Sequence, residues 1–233
     1  MNYIKIMKTS YTFKTVCFLW LMVFSSGNVC AMGQVPETIT LPQPNFKGGI
    51  SVEKALKERR SIRKFSESPL TLFEVSQILW SAQGTTYNNR YRTAPSAGAL
   101  YPLELFLLAG KIHDLEPGVY KYLPSTHQLA LMDKEDKRPE LASAALGQSW
   151  VRKNAALLVI AAVEERTTVK YGSRGIRYVH IEVGHAAQNV FLQVQSLGLG
   201  AAVVGAFDDE RSRKILNLPA DHHILYLMPI GRK

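Results

Sequence analysis

The sequence predicts an α+β fold built as one large domain, and three observations carry that prediction. Helical and strand patterns are interleaved without the strict alternation that parallel βαβ units require. One run, Ala155 to Val163, is apolar on both faces and short, so it reads as a central strand covered on both sides. Hydrophobic residues make up 46% of the chain and charged ones 20%, a balance that supports a packed core and excludes a disordered chain. The 233 residues suit a single domain, and no internal repeat divides them.

Residues 1–31 stand apart. Lys5, Lys8 and Lys14 precede the apolar run Val16 to Phe24, and Ser25, Ser26, Gly27 and Val29-Cys30-Ala31 follow. A basic start, a short apolar stretch and small residues at a break form a secretory signal peptide, with cleavage expected after Ala31. Nine apolar residues fall short of the roughly 20 that span a bilayer, so no transmembrane segment is expected in the mature chain. The expected location is outside the cytoplasm, in the periplasm. Lipid attachment at Cys30 ranks second, because Gly27-Asn28-Val29 is a poor lipidation signal. Both cysteines, Cys17 and Cys30, lie in this leader, which removes disulfides and cysteine nucleophiles from the mature chain. Loss of the three leader lysines takes the formal charge from +9 to +6. That balance suits an anionic cofactor or substrate. No Lys/Arg block with interleaved aromatics suggests nucleic acid.

Residues 32–50 hold three prolines and little periodicity, and read as an extended lead-in. Val52 to Arg60 reads as a helix with Glu53 in its first turn. Thr71 and Glu74 form a capping box. Val75, Ile78, Leu79 and Ala82 then follow helical spacing until Gly84. Thr85 to Thr93 reads as a polar loop and Leu105 to Ala109 as a core strand. Val119 to Leu123 and Leu129 to Met132 read as a hairpin across Pro124 to His127. Pro139 to Leu146 and Glu210 to Leu216 read as short helices, and Ala201 to Val204 and Ile224 to Ile230 as further core strands. Gly175 to Leu197 reads as a long helix whose low charge suggests burial on most sides.

Three segments carry candidate chemistry. Pro95-Ser96-Ala97-Gly98-Ala99-Leu100-Tyr101-Pro102 places small residues between two prolines just before a core strand. Such a loop is stiff, and its main chain can be approached closely by a planar ligand. Arg59-Arg60-Ser61-Ile62-Arg63 gathers three guanidiniums and a hydroxyl at a helix end, a set that binds phosphate oxygens. Ile230-Gly231-Arg232-Lys233 ends the last strand with two cations. His180, Glu182 and His185 do not make a metal site, since the two histidines are five residues apart and fall on different helix faces. No Gly-x-Gly-x-x-Gly or Gly-x-Ser-x-Gly motif is present.

Taken together and in order, these segments, with Val204-Gly205-Ala206-Phe207, resemble the nitroreductase superfamily of FMN-dependent enzymes across about Ser51 to Lys233. The resemblance implies a central mixed sheet flanked by helices in an intertwined homodimer, with residues 51–233 as the FMN-binding domain. It implies that Arg59, Ser61 and Arg232 hold the FMN phosphate, that Arg60 supports them, and that Arg63 reaches the ring edge. Pro95, Ser96, Ala97 and Gly98 would pack on the ring from the second subunit, and Val204-Gly205 would present the Gly205 backbone N–H to the flavin. The long helix would be the dimer core.

Many members of the family carry an asparagine in the flavin loop, where this chain has Ala99 or Leu100. Ala99-Leu100-Tyr101-Pro102, Lys170-Tyr171-Gly172-Ser173 and Glu182-Val183-Gly184-His185 resemble instead the azoline-oxidase branch, the SagB/ThcOx-type dehydrogenases. There a Lys-Tyr pair is linked to proton transfer, which makes Lys170 and Tyr171 the candidate catalytic residues; a lysine serves as base when burial lowers its pKa. The leading expectation is an FMN oxidoreductase acting on a small conjugated substrate, with NAD(P)H as candidate electron donor. The alternatives are a peptide-ring dehydrogenase using Lys170 and Tyr171, and a flavin or small-molecule binder without catalysis.

Overall fold

The computed structural model describes residues 37–233, so the segment expected to be a signal peptide and both cysteines lie outside the described residues. The expected α+β class holds, with a seven-stranded sheet flanked by helices. The strands are β1 (Thr38–Thr40), β4 (Leu103–Ala109), β5 (Gly118–Leu123), β6 (Gln128–Asp133), β7 (Ala156–Val163), β8 (Leu199–Ala201) and β9 (His222–Arg232). Thr85–Thr86 and Tyr91–Arg92 form a separate small hairpin, β2 and β3, inside the expected loop. In space the large sheet runs β1-β6-β5-β4-β7-β9-β8. Every strand pair in it is antiparallel; the parallel component expected of a mixed sheet is confined, on this sheet's edge, to one bridge between Ser61 and Ala201.

All eight residues of β7 are buried, because the strand is paired on both edges and covered on both faces. One apolar cluster lies under α2 (Leu72–Gln83) and the long α6 (Arg174–Ser196), joining Leu79, Leu105, Leu158, Ile160, Val183 and Val190. The second lies under α3 (Arg138–Ala144) and α4 (Ser149–Arg152), joining Phe106, Leu141, Val151, Leu157 and Leu227. The capping box of α2 is formed as expected: the Thr71 hydroxyl accepts from the Glu74 N–H at 3.2 Å, and Glu74 accepts from the Thr71 N–H at 2.8 Å.

Several expectations are corrected. The helix α1 (Val52–Glu58) stops before Arg59, which adopts an extended conformation as its cap. The strand expected at Ala201 to Val204 ends at Ala201, and Val204 makes only an isolated bridge to Leu227. Lys170 and Tyr171 lie on a helix of their own, α5 (Glu165–Tyr171), which turns at Gly172 (φ 56°) directly into α6. The lead-in is not wholly irregular, because Thr38–Thr40 pairs with β6. The long helix is not buried on most sides in this chain. Val179, Val183, Ala186 and Val190 are buried, whereas Ile176 at the rim of that face is 39% exposed and Ile181, on the opposite face near exposed Gly184, is 49% exposed. A last helix, α7 (Asp209–Ile215), packs against β9.

Candidate functional site

The segment Arg59 to Arg63 crosses the sheet at its β8 edge. Ile62 N–H donates to the Ala201 carbonyl at 2.8 Å, and a Cβ at Gly200 would lie 2.8 Å from the Ile62 side chain, so the close approach requires glycine. The Arg59 guanidinium sits over the Phe191 ring of α6 at 5.3 Å, and Arg63 over Trp150 of α4 at 5.8 Å. Arg60 bends back to donate to the Lys57 and Arg59 carbonyls at 3.0 and 2.7 Å, completing the end of α1. Ser61 bridges Ala201 of β8 at this sheet edge, between Arg59 and Arg63 in the chain.

Arg232, expected at the phosphate, is engaged within the chain. It donates to the Pro69 carbonyl and to Glu74, both at 3.0 Å, and a phosphate would have to draw it from that carboxylate. Strand alternation sends the next residue the other way. Lys233 donates to Gln195 at 3.0 Å, and Gln195 donates in turn to Glu58, the neighbour of Arg59. Lys233 is thus a cation near Arg59 that sequence reasoning left out of the site. Gln148 and Trp150 are two more. Gln148 donates to the Ala206 carbonyl at 3.3 Å, beside exposed Gly205, and the Trp150 indole N–H is buried with no partner among the described residues. Gln148 and Trp150 precede β7 without a motif, so no sequence signal marked them.

The Pro95 loop is a different construction. Ala97–Ala99 is a single 3₁₀ turn with Gly98, Ala99 and Tyr101 all left-handed, at φ 63°, 54° and 48°. Tyr101 N–H donates to the Ser96 hydroxyl at 2.9 Å, and Ala97 N–H donates to the Glu182 carboxylate of α6 at 2.8 Å. Burial raises the Glu182 pKa, partly offset by hydrogen bonds from Ala97 and Ser96. A Cβ on Gly98 would lie 2.9 Å from the Tyr171 hydroxyl and 3.0 Å from the Lys170 ammonium. The structure therefore brings together Gly98, Lys170 and Tyr171, which are about seventy residues apart in sequence.

The Lys170 ammonium lies 5.4 Å from the Tyr171 ring, and Tyr171 meets Tyr178 edge to face at 5.2 Å. One turn earlier, Arg166 donates to the Tyr101 carbonyl and pairs with Glu104, fastening α5 to the end of the loop. Burial pushes the Glu104 carboxyl up, but hydrogen bonds and charge from Lys121 and Arg166 outweigh it and hold the carboxyl below the usual range. Lys170 is exposed at the end of α5. We expect Gly98→Ala to cost about 1–2 kcal/mol through its left-handed backbone and to displace the Lys-Tyr pair. Urea denaturation measures the first effect, and a changed Tyr171 ring environment by NMR measures the second.

The two groups lie apart within one chain. Ser61 stands level with Ala201, Ile230 and Ala156, at the start of β7. The Pro95 loop ends where Pro102 accepts from Val163 N–H, at the finish of β7, roughly 23 Å away at 3.3 Å per residue. Trp150 and Gln148 lie on the α3–α4 side of the sheet, and Glu182 and the loop on the α6 side.

This architecture is an α+β scaffold: an antiparallel sheet with a long helix on one face and a small-residue turn against a Lys-Tyr pair. The Nitroreductase family model matches residues 56–232, and the chain belongs to that family. The nitroreductase-like protein MJ1384 of Methanocaldococcus jannaschii is 47% identical over 197 residues, covering 84% of this chain and 98% of that protein. A crystal structure of a nitroreductase-like protein from Ralstonia eutropha JMP134 has a TM-score of 0.74 and 29% identity, covering 87% of this chain and 92% of that one. A chain of the E. coli microcin synthetase McbBCD complex, with truncated pro-MccB17 bound, has a TM-score of 0.66 and 26% identity, covering 84% and 78%.

Proposed function

We propose that this protein is an FMN-dependent oxidoreductase that works as a homodimer and acts on a small conjugated substrate. The observation that carries the reading is the contact of the Gly98 turn with Lys170 and Tyr171, a flat small-residue wall beside two proton-carrying groups. The chain's residues fit the cofactor. Arg59 and Ser61, with Lys233 near and Arg232 once released from Glu74, offer a cationic end for the phosphate. Arg63, the unpartnered Trp150 N–H and the exposed Gly205 backbone offer donors to ring heteroatoms. When bound, FMN supplies the two-electron exchange that no side chain here can perform. The separation of the two groups along and across the sheet favours a site completed by two copies, the arginine segment from one and the Pro95 loop from the other.

A second reading is favoured by the Lys-Tyr pair and by the similarity to a chain of a peptide-modifying complex. In it, substrate dehydrogenation at a peptide ring replaces substrate reduction, and Lys170 and Tyr171 move the proton. Anaerobic absorbance spectra of protein reconstituted with FMN separate the readings. Bleaching by NADH or NADPH supports the reductive direction, and bleaching by a reduced ring substrate alone supports the dehydrogenase. Purified protein that takes up no FMN sinks both. FMN uptake that no donor can bleach leaves a flavin binder without catalysis.

A further inference from the structure

Glu182 is 4% exposed and lies between Val179, Val183 and Ala186 on the apolar face of α6, where a carboxylate is expensive to hold. It is not paired with a cation in a salt bridge among the described residues. Its hydrogen bonds come instead from the turn: the Ala97 backbone N–H, at 2.8 Å and 85 residues away in sequence, and the Ser96 hydroxyl. That N–H opens the turn in which Gly98, Ala99 and Tyr101 are all left-handed. Two of these carry side chains, and such a conformation persists only where the surroundings over-determine it. Ser96 closes the turn from inside by accepting from Tyr101 N–H, and Arg166 holds the Tyr101 carbonyl from α5.

We propose that Glu182 is a positioning residue that sets the Ser96–Tyr101 turn and thereby the distance between the Gly98 wall and the Lys170–Tyr171 pair. A buried carboxylate does this better than a hydrophobe, because an unpartnered N–H at Ala97 would be free to turn toward solvent and take the loop with it. The inference deepens the flavin reading and rests on it only for its ligand-binding consequence.

The test compares Glu182→Ala with Glu182→Gln, whose amide oxygen can accept the same bond. Amide hydrogen exchange at Ala97 and Tyr101 in protein without cofactor reads the turn directly. FMN affinity by fluorescence quenching reads the wall. The alanine variant is expected to speed exchange at Ala97 at least tenfold and to weaken FMN at least tenfold, with glutamine within threefold of wild type in both. Wild-type exchange at Ala97 in the alanine variant overturns the inference, as does a glutamine variant no better than alanine. If the alanine variant does not fold, Ser96→Ala is measured in its place, and unchanged exchange at Tyr101 counts against the turn being held this way. Wild-type protein that binds no FMN removes the flavin reading, while the exchange rates still decide the role of Glu182.

Discussion

Lys170→Ala is expected to lower turnover at least about a hundredfold, the lower range for losing a positioned proton carrier, while FMN binding and melting temperature stay close to wild type. The reasoning is geometric. Lys170 is exposed at the end of α5 and is in none of the salt bridges among the described residues, so its removal leaves the fold intact. Its ammonium nevertheless lies 3.0 Å from where a Cβ on Gly98 would stand, against the turn proposed to face the flavin ring. Tyr171→Phe removes the neighbouring hydroxyl and keeps the edge-to-face contact with Tyr178, so it should slow turnover without loosening the helix. Steady-state rates, with a flavin titration on the same samples, check both variants. Full activity in Lys170→Ala would discard ring dehydrogenation by this pair and return the residue to a surface role.

Arg138→Ala should be the most destabilising single change in the second cluster, by about 3 kcal/mol, or roughly 6–12 °C in melting temperature. Arg138 is 9% exposed, yet each of its three guanidinium nitrogens donates: Asp136 accepts from Nε at 2.8 Å and from Nη2 at 2.7 Å, and the Asn154 carbonyl accepts from Nη1. The guanidinium also fills the space beside Gly110, where a Cβ would come within 1.8 Å of it. Gly110→Ala should therefore eject the arginine and cost a similar amount. In the Arg138→Ala background the same glycine substitution should cost much less, because the space is then open. Equal penalties in both backgrounds, measured by chemical denaturation, would mean that the glycine and the arginine are not coupled.

How far the sequence could be read depended on the range of the interaction. Local signals were legible. The Thr71–Glu74 capping box, the stop at Gly84 and the apolar run of β7 all act within a few residues, and all three appear in the structure. The phosphate-type segment and the small-residue loop were legible as compositions, but their partners were not. The acceptor for Ala97 N–H lies 85 residues away, and the carboxylate facing Arg232 lies 158 residues away. Helix α5 escaped notice because it follows β7 after a single residue, without a side-chain cap, and carries Thr167, Thr168 and Val169 in its middle. Its fold comes from packing instead: Thr167 is fully buried, and Gly175 of α6 approaches Thr168 so closely that a Cβ would meet its backbone at 2.9 Å. Gln148 and Trp150 belong to no spacing rule, and only the meeting of distant segments marks them; Lys233 was visible as a terminal cation, but its tie through Gln195 to Glu58 was not.

The two outermost strands of the large sheet, β1 and β8, are three residues each, and Ser61–Ile62 already lies along the outer side of β8. Short, partly shielded rims offer few free amide and carbonyl groups to a passing strand, which is how natural sheets resist edge-to-edge polymerisation. Its short rims thus leave the large sheet little edge to grow from, even though its core strands are long runs of leucine, valine and alanine that would aggregate readily if exposed.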